Sequence, residues 1–215
     1  MGYLRNTKQM TFPNKIYPSS VAFAEAYFNH LGEAINSVNT TKLNEAIELI
    51  KRAYEGRSTI FSCGNGGSAA ISNHLHCDHL KGCQTDTKLK PRVISLSSNI
   101  ETITAIANDI SYDDIFLYQL RTMAYREDIL ITISSSGNSE NIFRACSWAK
   151  QEGVHVICMT GFDGGKIGDI ADINLHVDCD NYGVVEDVHQ SLMHIIAQYI
   201  RLMHMDPNIV KNKLF

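Results

Sequence analysis

Four stretches of this chain carry residue types that could do chemistry together. They are Gly64-Asn65-Gly66-Gly67-Ser68, the pair His74 and Asp78, the run Ser134-Ser135-Ser136-Gly137-Asn138-Ser139, and Glu186 with His194. Glycines permit positive φ and let backbone N–H groups approach a ligand. The first stretch is neither G-x-G-x-x-G nor a P-loop, since no Lys follows, so no nucleotide cofactor is expected. A plain tight turn would explain its glycines. Asn, three Gly and Ser in five residues favour a ligand loop, with Asn65, Gly66, Gly67 and Ser68 available to that ligand. The serine run precedes a helical stretch. Four hydroxyls and a free helix N-terminus make an anion site without Lys or Arg, and simple capping needs only one Ser.

His74 and Asp78 are spaced i, i+4 and share a helix face. Glu186 and His194 are eight apart, which leaves them about 80° apart around a helix. Gln190 lies between them on the same stripe. Two imidazoles and two carboxylates, His74, Asp78, Glu186 and His194, make a four-ligand divalent site. Borderline-soft nitrogen donors favour zinc, one ion per subunit. His76, His79 and His189 lie nearby as surface or supporting histidines.

The elements that must hold these groups are legible from periodicity. Two amphipathic helices lead the chain, over 21–38 and from Thr41 to Gly56. Five short apolar runs follow, at 58–63, 92–96, 129–134, 154–160 and 173–177. Helical patterns alternate with them at 69–80, 100–107, 115–125, 140–152 and 166–170, and a last helix covers 186–203. Ser98-x-x-Glu101 reads as a capping box, and Gly153 as a helix stop. Such alternation predicts an α/β fold, a five-stranded parallel sheet with helices on both faces. The expected division is a helical extension over 1–56 and one domain over 57–215. The extension's apolar stripe packs on its own domain or on a neighbouring subunit.

Composition bounds the alternatives. The chain has 215 residues, 44% hydrophobic and 20% charged, with 19 Lys+Arg against 23 Asp+Glu for a net charge of −4. This excludes a disordered tail, a collagen-like repeat and a small disulfide scaffold. The slight acidity gives no reason to expect nucleic acid. No apolar run approaches the roughly 20 residues of a membrane span. Residues 1–15 lack the apolar segment of a secretory signal. Six cysteines without a C-x-x-C pair read as reduced thiols in a cytoplasmic protein rather than as zinc ligands.

The order of these motifs resembles the sugar isomerase (SIS) domain family, and within it the bacterial phosphoheptose isomerases. The resemblance covers nearly the whole chain, including Thr160-Gly161-Phe162-Asp163-Gly164-Gly165. It implies a flavodoxin-like three-layer sandwich and a homotetramer with active sites at subunit interfaces. It implies interconversion of sedoheptulose 7-phosphate and a glycero-manno-heptose 7-phosphate, for lipopolysaccharide, capsule or a related glycan. Ser134, Ser135, Ser136 and Ser139 would hold the phosphate. Asn65, Gly66 and Gly67 with Asn108 and Asp109 would line the sugar, and His74, Asp78, Glu186 and His194 fall at metal and catalytic positions. The family usually has Glu where this chain has Asp78, and Gln where it has Glu186. The second change adds a charge at a position that touches the sugar.

Moving a carbonyl between C1 and C2 needs a base within reach of both carbons and a group that handles the oxygens. The expected assignment is Asp78 as base and His194 as acid, with zinc as Lewis acid. A permanently metal-bound Asp78 would pass its role to His194 or His189. Isomerisation of another phosphosugar is a second reading. A non-catalytic regulator of replication initiation is a third, although such regulators tend to lose the His that this chain keeps as His194.

Overall fold

A computed structural model describes residues 11–215. The readings made for the first ten residues lie outside the described residues. Two helices lead, α1 (Ser20–Asn36) and α2 (Thr40–Gly56). There follow β1 (Ile60–Gly64), α3 (Gly67–Cys77), β2 (Val93–Ser95), α4 (Ile100–Asp109) and α5 (Ile115–Met123). The chain continues with β3 (Ile129–Ser134), α6 (Glu140–Gln151), β4 (His155–Thr160), α7 (Gly165–Ile170), β5 (Ile173–His176) and α8 (Tyr182–His204). All five strands are parallel, in the order β2-β1-β3-β4-β5. Parallel neighbours need crossovers long enough for a helix, which the alternating pattern supplies.

Side-chain alternation divides the core between the two faces of the sheet. On β3, Ile129, Ile131 and Ile133 join Ile157 and Met159 of β4 beneath α2, α3 and α8. Leu130, Val156 and Cys158 face the other way, against α5 and α6. Full burial of each large aliphatic group is worth about 1.5–3 kcal/mol. This makes a three-layer α/β sandwich.

The extension is not uniform. α2 buries Ala46, Ile47, Ile50 and Tyr54 in its own domain's core. α1 buries Ala34 and leaves Val21 and Phe28 exposed at 66% and 68%.

Helix ends differ from the sequence reading in an instructive way. Asn99, not Ser98, caps α4, accepting from Thr102 N at 2.7 Å, while the Ser98 hydroxyl donates to Ser95 O. Asn39 caps α2 in place of Thr41. Asn181 starts α8 a full turn earlier than its apolar stripe. Asn is among the strongest N-caps, because its short amide reaches the free N–H groups one turn on. Past α2 it is Arg57, at φ 61°, rather than Gly56, that takes the left-handed position.

The largest departure follows α3. The helix stops at Cys77, and residues Asp78–Cys83 form a π-helical turn. Such turns carry an extra residue and re-aim the side chains around them. This one is pinned from inside. His79 and Cys83 are fully buried, the Tyr54 hydroxyl meets His79 Nδ1, and the Cys83 thiol donates to Ala197 O at 3.3 Å.

Two buried imidazoles predict an acid response. Burial pushes His79 and His189 down to about 4. An unfolded His titrates near pH 6.5. The folded values lie below the unfolded ones, so this stability is present above about pH 6.5 and is lost as pH falls toward the folded values. The urea midpoint is expected to drop steadily from pH 7 to pH 4.5, with a shallower drop in His189→Leu. A midpoint flat over that interval would contradict the burial of these rings.

Candidate active site

The register places the site. Gly64, the last residue of β1, lies opposite Ile133 of β3. The glycine loop and the serine loop therefore leave neighbouring strand ends. Since β2 flanks β1 on one side and β3 on the other, this is where the winding reverses, the usual ligand crevice of such sheets.

The serine loop is locked from behind. Gly137 N donates to Ser134 O at 3.1 Å, and Gly161 N to Ser135 O at 2.8 Å. Gly137 sits at φ 65°, and a Cβ there would fall 2.1 Å from Gly164 O. Only glycine allows that approach. Two hydroxyls are left without internal work. Ser139 is the N-cap of α6 but makes no side-chain cap bond, and Ser135 Oγ is buried without a hydrogen-bond partner among the described residues. A buried unpaired hydroxyl costs free energy unless a ligand completes it. Ser134, Ser135, Ser136 and Ser139 line a cavity of about 140 Å³ with Asn65, Ser68, Tyr182 and Glu186.

Asn65 is held rigidly. It trades amide bonds with the buried Asn141 at 2.9 and 3.0 Å and accepts the Tyr112 hydroxyl at 3.0 Å. Gly66 and Gly67 open α3 beside it. Asn108 and Asp109 end α4 in exposed positions, bonded to each other at 2.8 Å, and do not line the serine cavity.

α3 and α8 bring together the second group. His74, Asp78 and His194 offer ligand atoms that all lie within 4.8 Å of one another. His194 Nδ1 meets Asp78 Oδ2 at 2.8 Å, and His74 Nε2 meets Asp78 Oδ1 at 3.3 Å. The Gln190 amide donates to His74 Nδ1 at 2.9 Å and to His194 Nε2 at 3.0 Å. The His194 ring donates to Asp78 and both rings accept from Gln190, while His74 Nε2 stands beside Asp78 Oδ1 as an ion-pair contact. Two imidazole nitrogens and a carboxylate fit a divalent cation, and the Gln190 N–H groups point at the lone pairs such an ion would take.

Three expectations meet this geometry differently. Glu186 stands outside the cluster, in the serine cavity, because eight residues advance about 12 Å along a helix whatever their angular agreement. Its oxygens lie 2.4 and 2.7 Å from where a Cβ on Gly67 would be, so the bare glycine makes room for them. Burial first, and then Asp187, raise the Glu186 pKa above the usual carboxylate value. Asp78 has both oxygens engaged, so a carbon-base role would require breaking one bond. His189 is fully buried with Nε2 at 3.2 Å from Thr160 O, which removes it as an exchange partner for Asp78. Gln190 was on the sequence stripe without a role, and its position midway between Glu186 and His194 was the available signal.

Gly137→Ala tests the anion seat. Its Cβ would displace Gly164, so phosphate affinity is expected to fall at least about tenfold by titration calorimetry, or 1.4 kcal/mol. Wild-type affinity in that variant would mean the serine loop does not bind the anion.

Comparison with known proteins agrees with this layout. The SIS domain family matches residues 25–161. The phosphoheptose isomerase of Colwellia psychrerythraea is 38% identical over 148 residues, 67% of this chain and 75% of that protein. A probable phosphoheptose isomerase of Thermoplasma acidophilum is 34% identical over 177 residues, 82% of this chain and 97% of that protein. The solved phosphoheptose isomerase of Neisseria gonorrhoeae superposes with a TM-score of 0.76 at 30% identity, covering 82% of this chain and 96% of its own. That of Francisella tularensis reaches 0.80 at 27% identity, covering 86% and 99%. With the motifs, the sheet order and these relatives in agreement, the chain belongs to the SIS domain family.

Proposed function

We propose that the chain is an aldose–ketose isomerase of a phosphorylated sugar, with sedoheptulose 7-phosphate and a glycero-manno-heptose 7-phosphate as its pair. The observation that carries this reading is the unpartnered Ser135 hydroxyl in the serine cavity, which Ser68 of α3 also lines, with His74, Asp78, Gln190 and His194 gathered further along α3 and α8. Ser134, Ser135, Ser136 and Ser139 take the phosphate, helped by the free N–H groups at the start of α6. Asn65, Gly66, Gly67 and Ser68 face the sugar, with Asn108 and Asp109 as outer contacts. Glu186 and Ser68 lie in this cavity while His194 lies two turns further along α8. The interval of about 12 Å is close to the length of an extended seven-carbon sugar phosphate.

Asp78 and His194 are the catalytic pair of this reading. Asp78 holds the Nδ1 proton of His194 and stabilises the charge the ring gains. His194 Nε2 moves a proton between the sugar oxygens. His74, Asp78 and His194 would hold zinc, one per subunit. Zinc would supply Lewis acidity toward a sugar oxygen. The exposed Val21 and Phe28 of α1 support a homotetramer with sites at subunit interfaces. Six free thiols support a cytoplasmic location. No helix among the described residues is long and apolar enough to cross a membrane.

The test is a panel of five-, six- and seven-carbon ketose phosphates, followed by NMR for aldose formation. The seven-carbon substrate is expected to turn over fastest, and His194→Ala to lower kcat by about 10²–10⁴. No aldose from any member would refute the isomerase reading. Elemental analysis of the purified chain is expected to find one zinc per subunit, lost in His74→Ala. Equal metal content in that variant would remove His74 as a ligand.

A further inference from the structure

α8 carries a buried imidazole that the site described above does not use. His189 is fully buried, and its Nε2 lies 3.2 Å from Thr160 O. Burial pushes its pKa down to about 4, so the ring is uncharged near neutral pH. A carbonyl oxygen only accepts, which puts the ring proton on Nε2 and makes His189 the donor. The strand ladder does not need this bond, because Thr160 O already accepts Val177 N at 2.8 Å. The ring also leaves Nδ1 buried without a partner among the described residues. An apolar side chain of similar size would fill the space without desolvating two nitrogens, so packing alone does not account for an imidazole here.

The bonded carbonyl is one half of a rigid group. Thr160 C=O and Gly161 N–H belong to the same planar peptide and cannot turn independently. The N–H half donates to Ser135 O at 2.8 Å. α8 also packs close to this peptide, since a Cβ on Gly161 would fall 2.7 Å from both methyl carbons of Val185 and 3.3 Å from Ser135 O. Ser135 is the residue that brings a buried, unpartnered hydroxyl to the serine cavity. Two hydrogen bonds and one peptide plane thus join the ring to the backbone of that serine. We propose that His189 is a positioning residue of the anion seat, orienting the Thr160–Gly161 peptide and through it Ser135. The inference rests on the reading of the serine cavity as a phosphate seat and deepens it. It gives α8 a second task. The helix that presents His194 to the sugar also sets the grip on the phosphate, and loss of the His189 donor acts on phosphate affinity rather than on proton transfer.

The test uses the full chain, with inorganic phosphate titrated by calorimetry and sedoheptulose 7-phosphate for kinetics. His189→Leu fills the space and removes the donor. Phosphate affinity is expected to fall about fivefold, the effect of one net hydrogen bond. KM should rise by a similar factor, with kcat within about threefold of wild type. His189→Gln places an amide N–H near the position of Nε2 and is expected to restore phosphate affinity to within about twofold of wild type. Unchanged phosphate affinity in His189→Leu overturns the assignment. So does a fall in kcat with affinity intact, and so does a Gln variant that binds as weakly as the Leu variant. A wild-type chain inert toward the sugar refutes the isomerase reading alone, because the phosphate titrations decide the role of His189 by themselves. A wild-type chain that binds no phosphate overturns both. Should His189→Leu fail to fold, His189→Gln and His189→Asn carry the test, the shorter amide reaching only the position of Nδ1. Tighter phosphate binding by the Gln variant than by the Asn variant supports the proposal, and equal binding overturns it.

Discussion

Parallel pairing of β1 with β3 is the constraint on which the site depends. With Gly64 opposite Ile133, two loops separated by about seventy residues of sequence begin side by side at the carboxyl ends of neighbouring strands. The helices that leave those loops inherit their starting points. α3 carries His74 and Asp78 away from the glycine loop, and α8 crosses it with Glu186, Gln190 and His194. A slip of this pairing would separate the serine cavity from the ring of titratable groups. The strands resist such a slip because Ile129, Ile131 and Ile133 are fully buried on one face and Leu130 on the other.

The electrostatic design separates unlike tasks along α8. Among the described residues that line the cavity end there is no cationic side chain. Hydroxyls, the start of α6 and a loop fixed by Gly137 and Gly161 provide the attraction for an anion. At the other end, imidazoles and a carboxylate satisfy one another through Gln190. Asp78 is aimed into this ring by the π-helical turn, whose inner residues His79 and Cys83 are anchored to α2 and α8. Packing in the core thus fixes a group at the surface of the cleft. A second cavity, of about 220 Å³, opens on the far side of Asp78 and His194 and contains Lys81 and Arg201. It offers a phosphate cations where the serine cavity offers hydroxyls.

Most of the architecture was legible in the sequence because its elements differ in period. Near-continuous apolar runs gave the five strands, and three-and-four spacing gave the long helices. The glycine and serine loops were legible because their composition exceeds what a turn or a cap requires. Other features were hidden for identifiable reasons. Asn39 and Asn99 cap helices from positions where a neighbouring Thr or Ser looked equally suitable, and Asn181 caps α8 ahead of its apolar stripe. The π-helical turn has no local signature, since it is imposed by Tyr54 and Ala197 from distant elements. Glu186 and His194 agreed in angle but not in height, and angular reasoning alone ignores the rise of the helix. The role of Gln190 needed both helices in place, because its amide bonds residues on each.

The central claim is that the phosphate sits among the serines and the reacting carbons lie toward Asp78 and His194. A crystal structure of the chain with sedoheptulose 7-phosphate tests this most directly. The account predicts a phosphate oxygen within hydrogen-bond distance of Ser135 Oγ and the C1–C2 end of the sugar against His194. A phosphate bound instead to Lys81 and Arg201, with the serine cavity holding no part of the sugar, would contradict it.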